Sequence, residues 1–87
     1  MQLNIYSIFD SKTGAFHTPQ FVHNDGSAIR MIAQVLKTGD SLLANFTEDY
    51  TLMHIGTWDD NDGVLNHSQP RTVATLTDIK LKMESNA

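Results

Sequence analysis

Apolar and polar positions alternate from the start of the chain. Over residues 2–9, Leu3, Ile5 and Phe9 fall on one face of an extended segment, with Ser7 between them. Asn4, Tyr6 and Ile8 fall on the other, so both faces of this strand carry apolar side chains. Asp10-Ser11-Lys12-Thr13-Gly14 supplies turn chemistry, and a second strand is expected over Ala15–His23. Pro19 lies inside that strand and cannot donate to a ladder, which predicts an edge position or a bulge.

The period then changes from two to 3.6. Asn24 is a good N-cap and Asp25 places a negative charge in the first turn. Ile29, Ile32, Ala33 and Leu36 form a helical stripe flanked by Ala28, Met31 and Val35, and Gly39 closes it. Asp40–Asp49 reads as a connection whose Leu42, Leu43 and Phe46 pack locally. Tyr50–Trp58 returns to strand character, with Leu52, His54 and Trp58 on one face and Met53 and Ile55 on the other. Asp59-Asp60-Asn61-Asp62-Gly63 is a polar turn, and Val64–His67 a short return strand.

The expected architecture is α+β: a small antiparallel sheet in ββαββ order with one packed amphipathic helix. Residues 1–70 form the single domain. Residues 71–87 are a C-terminal tail, a short helix or strand, partly flexible. Ile32 and Leu36 are expected to pack against Leu52 and Ile5 or Phe9.

Composition narrows the function classes. A chain of 87 residues buries only roughly 60–65% of its unfolded surface, so its core is modest. It has no cysteine, which removes disulfides and thiolate metal sites. No basic n-region opens the chain and no apolar run approaches about 18 residues, so neither a signal peptide nor a membrane span is expected. The net charge of −4 argues against autonomous, tight binding to nucleic acid, which draws on a basic surface.

Candidate chemistry is sparse. Counted back from Gly63, an EF-hand loop would need Trp58 and Gln69 as ligands, so the acidic cluster at 59–63 reads as a hairpin turn, with weak cation binding as the alternative. His17, His23, His54 and His67 lack ligand spacing, and no serine sits in a nucleophile elbow. The glycines form no phosphate loop and no paired carboxylates stand out. No enzymatic activity, metal or cofactor is expected. Tyr6, Phe16, Phe21 and Trp58 lie on predicted strands, where aromatics beside cations can stack single-stranded bases. The candidate nucleic-acid-binding residues are Tyr6, Lys12, Arg30, Arg71, Lys80 and Lys82; the alternative is that the aromatics are core.

An ordered set of segments carries a resemblance. Ile5-Tyr6-Ser7 with Asp10 and Gly14, Pro19-Gln20-Phe21, and Asn24-Asp25 with Ala28-Ile29-Arg30 come first. Asp49-Tyr50-Thr51-Leu52, Ile55-Gly56, Trp58-Asp59-Asp60 and Gly63 follow. Over roughly residues 3–65 this order resembles the small nonstructural protein of gokushovirus-like phages, the tailless single-stranded-DNA phages of the Microviridae. Trp58 stands where that family more often has phenylalanine, and the last stretch of chain carries no matching motif.

The resemblance implies a non-virion protein of the host bacterial cytoplasm. It would act in viral DNA replication and in the switch to single-stranded DNA synthesis and packaging. A DNA-binding label travels with such proteins; no catalytic residues do. Two mechanisms are open. The domain binds single-stranded DNA, or it is a dimeric adaptor for the replication initiator, a host replication factor or the procapsid. A homodimer is expected because two strands are apolar on both faces and one short helix covers only one. The competing arrangement folds the loop at Leu42, Leu43 and Phe46 and the tail at Val73, Leu76 and Ile79 over the second face.

Overall fold

A computed structural model describes residues 1–39 and 41–85. Asp40, which opens the expected connection, and Asn86–Ala87, which end the expected tail, lie outside the described residues. The elements are β1 (Gln2–Asp10), β2 (Ala15–Phe16), β3 (Gln20–Val22), α1 (Asp25–Thr38), α2 (Leu42–Asn45), a 3-10 turn (Thr47–Asp49), β4 (Tyr50–Asp59), β5 (Val64–Thr75) and α3 (Leu76–Ser85). The fold is α+β.

All pairings are antiparallel, in the order β2-β1-β4-β5, with β3 pairing β1 beyond β2. The expected second strand is two short ones: the His17 N–H still bonds the Ile8 carbonyl, and pairing then lapses at Thr18–Pro19, where Pro19 offers no N–H. The return strand does not stop at His67 but runs to Thr75. Pro70 is tolerated inside it because β5 is an edge strand and residues 68–70 fall where its register with β4 shifts.

Helix α1 begins at Asn24, whose side chain accepts from the Ser27 N–H at 2.8 Å. It ends at Gly39, whose φ of 66° lets its N–H return to the Leu36 carbonyl. The connection after it contains α2, capped by Ser41. In the tail, Thr75 Oγ1 accepts from the Asp78 N–H at 3.1 Å and opens α3. Leu76 and Ile79 of that helix are buried in the same core as α1, at 0% and 3% exposure.

The core lies between the helices and the face of Tyr6, Ile8, Tyr50 and Leu52. Ile32 and Leu36 therefore pack over Leu52 as expected, but over Tyr6 and Ile8 rather than Ile5 or Phe9. The His23 carbonyl, which accepts from Asn4, and Asp25, which accepts from Tyr6, tie the start of α1 to the even-numbered face of β1, and the helix follows. A second correction concerns Trp58. Ile5 pairs Gly56 and Tyr6 pairs His54, so Ile55 is an extra residue in β4. That bulge reverses the alternation, and Trp58 lies with Leu3 on the face opposite Leu52 and His54.

Candidate functional site

The helix-covered face carries a polar cluster at the start of α1. Tyr6 Oη donates to Asp25 Oδ1 at 2.6 Å, and Arg71 Nη1 and Nη2 donate to Asp25 Oδ2 and Oδ1 at 3.1 and 3.2 Å. The Asn4 side-chain amide donates to the His23 carbonyl, and its Oδ1 lies 2.9 Å from His54 Nε2. The Tyr6 and His54 rings meet edge to face at 5.4 Å. Opposed register places them there: Tyr6 pairs His54, and His54 pairs Arg71.

The electrostatics follow from these contacts. Arg71, then Tyr6, hold the Asp25 carboxyl below the ordinary aspartate range. Burial, then the bond to Asp25, pushes the Tyr6 phenol above the ordinary tyrosine range. Asp25 is thus an anion clamped by two donors, and the cluster straps α1 to the edge strand β5.

Of the expected nucleic-acid-binding residues, the structure brings together only Tyr6 and Arg71, and both face Asp25. Tyr6 is 1% exposed, so its ring cannot stack on a base; this corrects its expected role. Lys12 lies in the β1–β2 turn, where Asp10 Oδ1 accepts from its backbone N–H. Arg30 is exposed on α1. Lys80 and Lys82 are exposed on α3, which also carries Asp78 and Glu84, so that helix has no net charge.

The opposite face of the sheet is different. Phe21 pairs Ile5 in register, Leu3 pairs Trp58, and Trp58 pairs Leu65. Phe9 pairs Phe16, with ring centroids 5.0 Å apart. Phe21 and Trp58 meet edge to face at 6.2 Å and 87°. Phe16 is 45% exposed, Phe21 47% and Leu65 62%. None of the described residues paired on this face is Lys, Arg, Asp or Glu. All three helices sit on the other side, so the arrangement in which loop and tail cover this face is not the one adopted.

Gly56 shapes the middle of that face. A Cβ there would stand 2.4 Å from the Asn66 carbonyl oxygen, so only glycine allows β5 to approach. Sequence reading placed Leu3, Ile5 and Phe9 together but missed Leu65. The signal was parity through the 59–63 turn once the Ile55 bulge is known.

Two further features carry less. A cavity of about 320 Å³ under α1 is lined mainly by Tyr6, Ile8, Met31, Ile32, Val35 and Leu52. At its rim Ser7 Oγ donates to the His17 carbonyl at 2.6 Å rather than to a base. In the acidic turn, Asp59 and Asp62 accept from the N–H groups of Asn61 and Val64, which is turn chemistry. No group of potential metal ligands occurs among the described residues, and no helix among them is long and apolar enough to cross a membrane.

The model of a phage family described as Phage ORF5 protein matches residues 3–79, from β1 into α3. No curated protein and no solved structure matches the chain.

Proposed function

The chain belongs to the Phage ORF5 protein family, and from that premise we propose a non-catalytic accessory protein that works by contacting other proteins. Its setting is the bacterial cytoplasm during infection by a gokushovirus-like phage of the Microviridae. There it acts in viral DNA replication and in the switch to single-stranded DNA synthesis and packaging, as a non-virion adaptor for the replication initiator, a host replication factor or the procapsid. The phage family and the ordered motifs from Ile5-Tyr6-Ser7 to Gly63 support the setting.

One observation carries the mechanism. The surface that offers apolar contact, with Phe16, Phe21 and Leu65 exposed, has no Lys or Arg among its described strand-paired residues, while Arg71 is held by Asp25. Phosphate neutralisation has little to work with on such a face, in a chain of net charge −4.

The presence of Phe16 and Phe21 on an open sheet favours a second reading, direct stacking of single-stranded DNA. Fluorescence anisotropy with a labelled single strand at low and moderate salt separates the two. The adaptor reading expects no binding at micromolar protein. Binding that weakens steeply as salt rises replaces it with the second reading.

A further inference from the structure

We infer that a second copy of this chain covers the open sheet face, packed face to face across a two-fold axis. The inference takes from the proposed function only that this face is a protein interface. The face is built for self-association in three respects. It is apolar at both ends: the row Leu3–Trp58–Leu65 crosses three strands with Phe21 against Trp58, and the Phe9–Phe16 pair lies at the other end of β1. It is also large enough. The protein measures 40 × 29 × 19 Å, and β4 alone runs ten residues, or ~33 Å. A broad face of that size accommodates the ~800 Å² per partner of a standard interface.

The third respect is charge, which selects the occupant. Two copies at −4 each repel wherever their acidic surfaces meet. Among the described residues no paired position on the open face bears a carboxylate, ammonium or guanidinium, and its one titratable side chain is the His67 imidazole opposite Gly56, so copies meet there without burying a carboxylate, lysine or arginine. A strongly basic or acidic partner would find nothing complementary on it. A two-fold contact asks only that the patch match itself, and a neutral aromatic patch does. Aromatic anchors near the centre are also what interfaces of high affinity use.

The test has a built-in reporter, because Trp58 is the sole tryptophan and lies on this face. Sedimentation equilibrium of the full chain across micromolar concentrations is expected to give a reversible dimer. Trp58 emission is expected to shift to the red as dilution dissociates it. Phe21→Glu and Leu65→Glu each place two like charges in the contact and are expected to weaken the dimer about tenfold or more. Leu81→Glu, at a site 57% exposed on α3, leaves it unchanged. Far-UV circular dichroism verifies folding, and Phe16→Ser serves as the milder variant should a glutamate prevent it.

A folded monomer at every concentration overturns the inference. So does a dimer disrupted by Leu81→Glu but not by the face variants. A monomer whose Trp58 emission responds to a short oligothymidylate, or to phosphatidylcholine vesicles, assigns the face to nucleic acid or to lipid instead and also overturns it. No other protein or DNA enters the sedimentation measurement. A monomer that binds no DNA therefore removes the dimer and leaves the adaptor function standing, and a dimer with salt-sensitive DNA binding does the reverse.

Discussion

Tyr6 and Asp25 are joined across the boundary between sheet and helix, with the phenol oxygen 2.6 Å from a carboxylate that Arg71 grips from the other side. Tyr6 is buried while Asp25 and Arg71 are about half exposed, so the two bonds to Asp25 differ in worth. Tyr6→Phe is expected to cost about 0.5–1.5 kcal/mol. Arg71→Ala is expected to cost under about 1 kcal/mol, because solvent screens the pair. Sharing one carboxylate makes the two effects non-additive. Urea denaturation of the single and double variants measures all three quantities. A strictly additive pair would show that Asp25 does not couple them.

Alkaline pH should unfold the protein through its tyrosines. Burial, then Asp25, raises the Tyr6 phenol; burial, then Asp10 and Asp49, raises that of Tyr50. The sign follows from linkage: an unfolded tyrosine releases its proton near pH ~10, whereas these folded ones hold theirs. The stability they contribute is complete below that value and is lost as pH rises through the higher folded values. Tyrosinate absorbance should thus appear together with the loss of circular dichroism. Tyrosinate forming near pH ~10 in a fully folded protein would contradict the burial of both rings.

Gly56→Ala should be among the most damaging small substitutions in the sheet. The added methyl group meets backbone, the Asn66 carbonyl, rather than a side chain that can swing away. Either β5 moves off β4 or the strand distorts, at about 1–3 kcal/mol or more. Gly14→Ala meets no neighbour within 4 Å and differs in kind, since its φ of 72° makes the strain local to the turn. Comparing the two by thermal denaturation, with the β4–β5 amides followed by hydrogen exchange, checks this. The Gly56 variant alone should lose protection on β5.

Leu76→Ala tests whether the C-terminal helix belongs to the core. Leu76 is fully buried against α1 and the sheet, so truncation should cost about 2–5 kcal/mol. That is a large part of the stability of a domain this small. Leu81→Ala on the same helix, exposed to solvent, should cost less than about 0.5 kcal/mol. Equal effects of the two would mean that α3 is not docked as described.

How far the sequence could be read depended on where the deciding interaction lay. Helix α1 was legible because its stripe, cap and terminator are all local. β1, β4 and the turn at Gly63 were legible from period and turn chemistry. Helix α3 was ambiguous, although Thr75-Leu76-Thr77-Asp78 carries a start signal whose hydroxyl does cap the helix. The face of Trp58 was misplaced because one extra residue, Ile55, reverses the alternation, and a bulge leaves no mark in hydrophobic pattern. Tyr6 was a stacking candidate until Asp25, distant in sequence, proved to hold its hydroxyl. The candidate site is a product of register, and register is set by pairs that the linear pattern does not name.

The strand order β2-β1-β4-β5 also fixes a schedule for synthesis. β1 leaves the ribosome first, and β2 and β3 cover one of its edges at once. Its other edge waits for β4, which arrives only after all of residues 11–49 have been made. Pairing across such a separation is slow compared with closing the β4–β5 hairpin, and an uncovered edge is a template for the wrong partner. The last core side chains to emerge, Leu76 and Ile79, follow β5. The nascent protein therefore carries an open strand edge until β4 has been made, and a product truncated before Leu76 has the sheet but cannot close its interior.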